Sequence, residues 1–221
     1  MTTVFKEIIQ CAVCGERSEH YTIGSTNSFG PMDLDSRPPE MMRSTISMWI
    51  MVCPSCGYCS MDISKCTEKS AEVVRSRAYQ RQLKNPRLPE TANAFLCSSI
   101  IEGHAGQYAR AGWDTIHAAW VCDDSGSALG TRECRKKAVI LLEKAKEKGQ
   151  SFAAAAGGSE ALLTDLLRRS ELFVKALKIC DEGLSNTKTG STFLEILRFQ
   201  KTLILNKDTA CHTVSEVLTS L

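Results

Sequence analysis

The first third of the chain shows the short-period pattern of β-strands. Loose alternation of apolar and polar residues predicts strands over Val4–Gln10 and Glu19–Ile23, paired as a hairpin. A third strand is expected over Ser44–Val52, which is apolar and β-branched. Between them, Phe29–Glu40 contains Gly30-Pro31 and Pro38-Pro39, which interrupt regular structure, so a loop is expected there.

From Ser64 onward the apolar period becomes helical. Ser64 is expected to cap a helix that Pro86 and Pro89 end. Its predicted apolar face comprises Ala71, Val74, Ala78 and Leu83. The further helices are expected over 90–122 (as two, broken near 103–106), 128–148, 159–184, 192–205 and 210–218, with 149–158 as a connection. The aromatic and apolar core candidates are Phe95, Ile100, Ile101, Tyr108, Trp113, Ile116 and Trp120.

These patterns predict an α+β protein that is mainly α. A small zinc-ribbon-like β segment over residues 1–62 precedes an all-helical domain over 63–221. Phe173 and Ala176 occupy positions where a tetratricopeptide repeat places an aromatic and a small residue, which favours a tetratricopeptide-like array. Such arrays bind peptides or proteins on a concave face, and the alternative is an irregular helical bundle.

The composition indicates in which cellular compartment the protein is expected. The N-terminus has no basic segment followed by an apolar core, so no signal peptide is expected, and no run of about 18 apolar residues predicts a membrane span. The 11 cysteines therefore indicate reduced thiols and metal ligands in the cytoplasm rather than disulfides in a secreted protein.

Charge is divided unevenly along the 221 residues. Residues 1–64 carry four basic and seven acidic side chains, whereas residues 65–87 carry seven basic and two acidic ones. An acidic cysteine-containing segment is not the expected nucleic-acid module, because phosphate binding relies on Lys and Arg. The basic side chains of the next segment form a solvated helix face or, alternatively, a docking surface for RNA or an acidic partner; they include Lys69, Arg75, Arg77, Arg81 and Lys84.

Two CxxC pairs, each followed by glycine, are the most specific motif. They are Cys11-Ala-Val-Cys14 and Cys53-Pro-Ser-Cys56, separated by 38 residues. A two-residue spacer lets a tight turn direct both thiolates at one ion, and four thiolates suit tetrahedral zinc. Because four cysteines leave no open coordination position, the predicted zinc is structural.

Other ligands would change this interpretation. Cys59 extends the second pair to Cys53-x2-Cys56-x2-Cys59, part of an iron–sulfur ligand run, although Ile63 stands at the fourth position and the next thiol is Cys66. His20 is likewise expected to be structural or on the surface, but it lies near the ribbon and is an alternative zinc ligand if one cysteine does not coordinate. The other histidines, without paired spacing, are expected to be structural or on the surface; they are His104, His117 and His212.

The loop between the strands carries paired carboxylates. Asp33 and Asp35 offer acid/base chemistry or a second metal site. The alternative is a structural turn in which the aspartates accept hydrogen bonds from local amides and pair with Arg37 or Arg43.

The order of these parts resembles a bacterial family known as domain of unknown function 2225. The resemblance is carried by Cys11-Ala-Val-Cys14-Gly15, by the loop from Gly30 to Pro38, and by Trp49-Ile-Met-Val-Cys-Pro-Ser-Cys-Gly-Tyr58. Leu166-Leu-Arg-Arg169 extends it, with Glu171 where the family has glycine. The resemblance implies cysteine knuckles joined to tetratricopeptide-like helices, and it implies no reaction.

The expected function is therefore a cytoplasmic, non-enzymatic scaffold. Structural zinc would fix the ribbon, and the helices would present a groove to a protein or peptide. The second hypothesis is RNA binding through the basic helix at 65–87, and the third is a metal-dependent enzyme that uses the Asp33 and Asp35 loop.

Overall fold

The computed structural model describes residues 1–219 and confirms an α+β fold that is mainly α. The strands are β1 (Thr3–Gln10), β2 (Arg17–Ser25), β3 (Ser28–Phe29), β4 (Glu40–Met41), β5 (Met51–Val52) and β6 (Cys59–Ser60). The helices are α1 (Ser70–Arg75), α2 (Arg77–Leu83), α3 (Glu90–His104), α4 (Tyr108–Asp124), α5 (Ala128–Glu147), α6 (Gly158–Arg168), α7 (Phe173–Ser185), α8 (Ser191–Leu205) and α9 (Val214–Thr219). Residues 220 and 221 of the predicted helical domain lie outside the described part. The boundary near residue 62 stays a prediction.

Three two-stranded antiparallel sheets build the N-terminal segment, which we call the ribbon (residues 1–67). The predicted hairpin is confirmed: β1 pairs with β2, with Glu7 opposite His20. The second short sheet pairs β3 with β4 across the predicted loop, and the third pairs β5 with β6. The two CxxC pairs lie in the turns of the first and third hairpins.

The predicted strand over Ser44–Val52 is wrong for most of its length. Arg43–Met48 forms a 3₁₀ helix, and only Met51–Val52 is extended. The Thr45 hydroxyl donates to the Met42 carbonyl and accepts a hydrogen bond from Trp49 Nε1 at 2.8 Å. This side-chain bonding offers the backbone an alternative to a sheet ladder, so β propensity does not decide the structure here.

The predicted helix capped by Ser64 begins later and is broken. The Ser64 hydroxyl and amide bond to Asp62 Oδ1 in a turn, and the first helix starts at Ser70. Ser76 separates α1 from α2, because its hydroxyl accepts the Tyr79 N–H and caps α2. The break rotates α2 so that Tyr79 is fully buried whereas Ala78, a predicted core position, is exposed.

The remaining helices follow the predicted ranges closely. The break between α3 and α4 and the connection after α5 are confirmed. The stretch 159–184 divides into α6 and α7 at a turn where Glu171 has φ +63, a conformation that favours glycine. The Glu171 carboxylate pairs with Arg132 at 2.8 Å, which holds the non-glycine residue in place. Consecutive helices pack on each other from α3 to α5 and from α6 to α8.

One continuous apolar core joins the ribbon to the helices. At this junction all three tryptophans surround His117 of α4: the ring centroids of Trp49, Trp113 and Trp120 lie 5.4, 6.2 and 5.0 Å from that of His117. Trp49 belongs to the ribbon and the other two to α4. The predicted core positions Phe95, Ile101, Ile116 and Trp120 are buried; Ile100, Tyr108 and Trp113 are partly buried against the core.

Buried charges attach the predicted loop to the helices. Asp35 is fully buried, and its Oδ2 accepts hydrogen bonds from Trp120 Nε1 of α4 (3.0 Å), Arg135 of α5 (3.0 Å) and Arg169 after α6 (2.9 Å). Asp123 of α4 accepts hydrogen bonds from the same two arginines, at 2.6 and 3.1 Å. We call these five side chains the Asp35 network. It ties the loop to three helices at once.

The structure favours the structural alternative for the loop carboxylates. Asp33 pairs with Arg43 at 2.7 Å, as that alternative predicted. Asp35 accepts the Arg37 N–H only at 3.4 Å, and its ionic partners lie about a hundred residues away along the chain. Arg37 pairs with Asp124 instead. The loop also meets the C-terminal segment, where the Leu34 N–H donates to the His212 carbonyl at 2.9 Å.

The Asp35 network yields a stability prediction. Burial alone would raise the pKa of Asp35, but Arg135 and Arg169 outweigh it and lower that pKa. Asp35→Asn should therefore reduce the free energy of unfolding at pH 7 by about 3–5 kcal/mol, because it leaves buried arginines undercompensated. Since the folded pKa is lowered, this contribution is present above pH ~4 and disappears as the pH falls through the folded value, so variant and native curves should converge in acid.

Urea denaturation measures this effect, with Glu133→Gln as the control. Glu133 on α5 is exposed and pairs with Lys136 at 3.3 Å, so its substitution should cost about 1 kcal/mol or less. Equal losses in the two variants would contradict the assigned role of Asp35.

Candidate metal centre

Four cysteines from the two hairpin turns lie close together. The sulfur atoms of Cys11, Cys14, Cys53 and Cys56 are all within 4.8 Å of one another. Cys11 Sγ lies 3.8 Å from Cys56 Sγ, and Cys14 Sγ lies 3.5 Å from Cys53 Sγ. This geometry can hold a metal ion, and the group contains all four predicted ligands.

The two turns have the same backbone design. In the first, the Cys11 N–H donates to the Glu16 carbonyl and the Gly15 N–H to the Cys11 carbonyl, both at 2.8 Å. In the second, the Cys53 N–H donates to the Tyr58 carbonyl and the Gly57 N–H to the Cys53 carbonyl, both at 2.9 Å. Gly15 and Gly57 have φ of +80 and +75, which explains the glycine after each pair.

Backbone N–H groups and burial also shift the pKa values of the cysteine thiols. A hydrogen bond from the Glu16 N–H lowers the pKa of the Cys14 thiol to about 7. The Tyr58 N–H has the equivalent position beside Cys56, but there burial dominates and raises the pKa. Burial likewise raises the pKa of Cys11. Amide N–H groups beside sulfur stabilise thiolates, the form that binds metal.

The alternative ligands lie outside this group. Cys59 is fully buried, its Sγ donates to the Gly57 carbonyl at 3.3 Å, and it is not among the clustered sulfurs. Cys66 is exposed, with its Sγ 3.6 Å from the Ala12 carbonyl. His20 lies on β2 and contacts the Ser18 hydroxyl at 2.8 Å. The structure therefore gives Cys59 a packing position and does not assemble the extended iron–sulfur run.

The basic side chains divide between two surfaces. Arg75 lines a cavity beside Cys14 and Cys56. A second cavity of about 870 Å³ along α2, which we call the basic groove, is lined by Arg77, Arg81, Lys84 and Arg87 together with neutral side chains. Within residues 1–219 none of these four cations forms an ion pair.

Sequence reasoning missed one cavity, where the ribbon meets α3 and α4. This junction cavity of about 380 Å³ has ribbon residues from Tyr58 to Thr67 on one side and Ser98, Glu102, Asp114 and His117 on the other. Two of the carboxylates that line it, Glu102 and Asp114, lie on different helices, 12 residues apart along the chain. No local spacing could have connected them, since only the packing of α3 on α4 brings them together.

Comparisons of the chain with protein-family models, with curated proteins and with solved structures found no match. Among the helices formed by residues 1–219, none combines the length and apolar character needed to cross a membrane.

The four-sulfur geometry predicts which cysteines retain a metal. Cys14→Ser should lose most of its bound metal during purification, because one of four ligands is removed. Cys66→Ser, also an exposed thiol near the first turn, should retain about one ion per chain, and so should Cys59→Ala. Elemental analysis of the three proteins, purified anaerobically, provides the measurement. Loss of metal in Cys59→Ala with retention in Cys14→Ser would contradict the assignment.

Proposed function

We propose that the chain is a zinc-stabilised, non-enzymatic interaction scaffold. The observation that carries the zinc assignment is the sulfur geometry. A tetrahedron with sulfurs about 2.3 Å from zinc has edges of about 3.8 Å, close to the observed separations of 3.8 and 3.5 Å. Four thiolates complete the coordination of zinc, so the ion is structural and leaves no position for a substrate.

The metal stabilises the part of the ribbon on which the helices pack. The second cysteine turn leads directly into β6, which packs on α3. Tyr79 of α2 is anchored on that turn, because its hydroxyl donates to the Gly57 carbonyl and accepts the Cys59 N–H, both at 2.9 Å. Loss of the metal would loosen surfaces to which both parts contribute, and such surfaces are where we place partner binding.

The helical part has the small-residue packing of a paired-helix array. Ala176, Cys180 and Gly183 form a buried stripe on α7. A Cβ on Gly183 would lie 2.7 Å from Leu197 Cδ1 and 2.9 Å from Glu160 Cβ, so α6 and α8 approach α7 closely there. On this close approach we base the proposed tetratricopeptide-like arrangement. Membership of the domain of unknown function 2225 family and a protein or peptide partner are proposed from the sequence resemblance alone. The 11 free cysteines support a reducing cytoplasm.

Cross-linking in the source cell tests the scaffold function. Lys65 and Lys69, both exposed beside the junction, should cross-link to a defined partner protein in the native chain. We expect these cross-links to disappear in Cys14→Ser, which removes a metal ligand, and to persist in the matched control Cys66→Ser. Cross-links that survive metal loss unchanged, or a turnover that requires Asp33, Asp35 or Cys59, would contradict the proposal.

A second candidate function, RNA binding, is favoured by the basic groove. Among the residues that the structure describes, its lining contains four cations without an ion pair, neutral amides and no acidic side chain. Uncompensated positive charge on an exposed groove attracts phosphates, and the affinity of such contacts falls steeply with salt. This surface differs from the ribbon, so the RNA candidate uses the metal only as structural support.

Anisotropy with a labelled single-stranded RNA tests this candidate. If four phosphates contact the groove, affinity should fall roughly fifty-fold between 50 and 200 mM salt. Replacing Arg77, Arg81 and Lys84 by Gln should abolish most of that dependence. The control replaces Lys146, Lys175 and Lys178 by Gln; each pairs with a glutamate, and the change in net charge is the same. Equal weakening by both triple variants would reject the groove as the RNA site.

A further inference from the structure

The junction cavity contains a carboxylate in an unusual environment. Asp114 of α4 is only 5% exposed, yet it forms no ion pair among residues 1–219. The Ser98 hydroxyl of α3 is a neighbouring group that lowers the pKa of Asp114. Buried carboxylates are normally paired with a cation or a metal. Because Asp114 lines an accessible cavity, a cationic ligand in that cavity can supply the missing partner.

A second carboxylate adds to the negative character of the cavity. Glu102 of α3 lines the same space and forms no ion pair within the described residues. Burial raises the pKa of Glu102, and burial together with Glu102 raises that of Asp114 to about 7. Arg110 lies at the rim and is exposed; its charge lowers both values without reaching ion-pair distance. Both acids therefore remain undercompensated.

The other residues that line the junction cavity can accommodate the apolar part of a ligand. Met61, Ile101 and Trp113 provide apolar walls. His117 is partly buried, this burial lowers its pKa to about 4, and its Nδ1 has no hydrogen-bond partner among the described residues, so a neutral imidazole faces the ligand space. A volume of about 380 Å³ accommodates one long side chain or a small amine and excludes a folded segment.

We propose that the junction cavity binds a primary alkylammonium group, with Asp114 and Glu102 as its counter-ions and Met61, Ile101 and Trp113 against its methylene stem. Two sources share this chemistry: a lysine side chain of a partner protein and a free diamine. The assignment to a partner lysine rests on the proposed scaffold function, whereas the ammonium site itself does not.

An NMR titration of the zinc-loaded full chain tests the site. The reporter is the indole N–H of Trp113, which donates to the Phe152 carbonyl at 3.1 Å. The probes are 1,5-diaminopentane and Nα-acetyl-lysine amide; the uncharged control is Nα-acetyl-norleucine amide and the anionic control is glutarate. Both ammonium probes should shift the reporter saturably, and neither control should.

Variants identify the groups responsible. Asp114→Asn should weaken ammonium binding at least about tenfold, because the buried charge is lost without a change of shape. Glu133→Gln, an exposed position of α5 outside the cavity, is the control and should change affinity little. Arg110→Gln removes a repulsive charge from an exposed position and should strengthen binding severalfold. This last variant keeps the test decisive if Asp114→Asn fails to fold.

Binding should also strengthen from pH 6 to pH 8, because Asp114 ionises while the ammonium stays charged. The other titratable groups lining the cavity are Tyr58, Asp62, Lys65 and Cys66 from the ribbon, Glu102 from α3, and Arg110 and His117 from α4. In Asp114→Asn this pH dependence should be lost.

The outcomes test the ammonium site and the source of the ammonium group separately. Saturable binding of both ammonium probes that depends on Asp114 supports the proposal. Binding of diaminopentane without acetyl-lysine amide supports the site but overturns the partner lysine, leaving the scaffold to its own cross-linking test. No shift with either ammonium probe, equal binding by Asp114→Asn, weaker binding by Arg110→Gln, or preference for glutarate would overturn the site.

Discussion

The buried charge of Asp35 is the constraint on which the arrangement of the two parts depends. A carboxylate placed without solvent among Trp120, Arg135 and Arg169 must have these donors in place, since an uncompensated buried charge is costly. The three donors come from α4, α5 and the end of α6. The loop that carries Asp35 therefore fixes the ribbon on the helices and, at the same time, the helices on one another.

The cysteine group supplies the complementary constraint within the ribbon. Its hairpins are too small to bury much apolar surface, and β1 exposes Phe5 and Ile8 to solvent. A short hairpin is marginal by itself, so ligation of both turns to one ion would contribute the stability that burial does not. The junction between the ribbon and the helices thus depends on two electrostatic interactions. Ligation of one ion by the four sulfurs would stabilise the ribbon, and the buried charge of Asp35 attaches the ribbon to the helices. The junction cavity, which Asp114 lines, is formed by ribbon residues together with α3 and α4.

The sequence predicted what local chemistry determines. The CxxC-Gly pairs specified both turns because thiolate spacing and positive φ are local requirements. The helical periods from residue 90 onward predicted most helix ranges, but not the start of the last helix at Val214. Predictions failed where side chains override propensity, as at Thr45 and Ser76, whose hydroxyls define a 3₁₀ helix and a helix break. The partners of Asp35, up to 134 residues away, and the meeting of Glu102 with Asp114 depend on tertiary packing, which no spacing in the sequence encodes.

We propose that the four cysteines form a closed zinc site that stabilises the ribbon without taking part in a reaction. X-ray absorption at the metal edge, on the full chain purified anaerobically without added metal, tests it most directly. We expect a zinc edge with four sulfur neighbours at about 2.3 Å and no nitrogen or oxygen ligand. An iron edge, or zinc with three sulfurs and an oxygen, would contradict it, because the first implies redox chemistry and the second an open catalytic position.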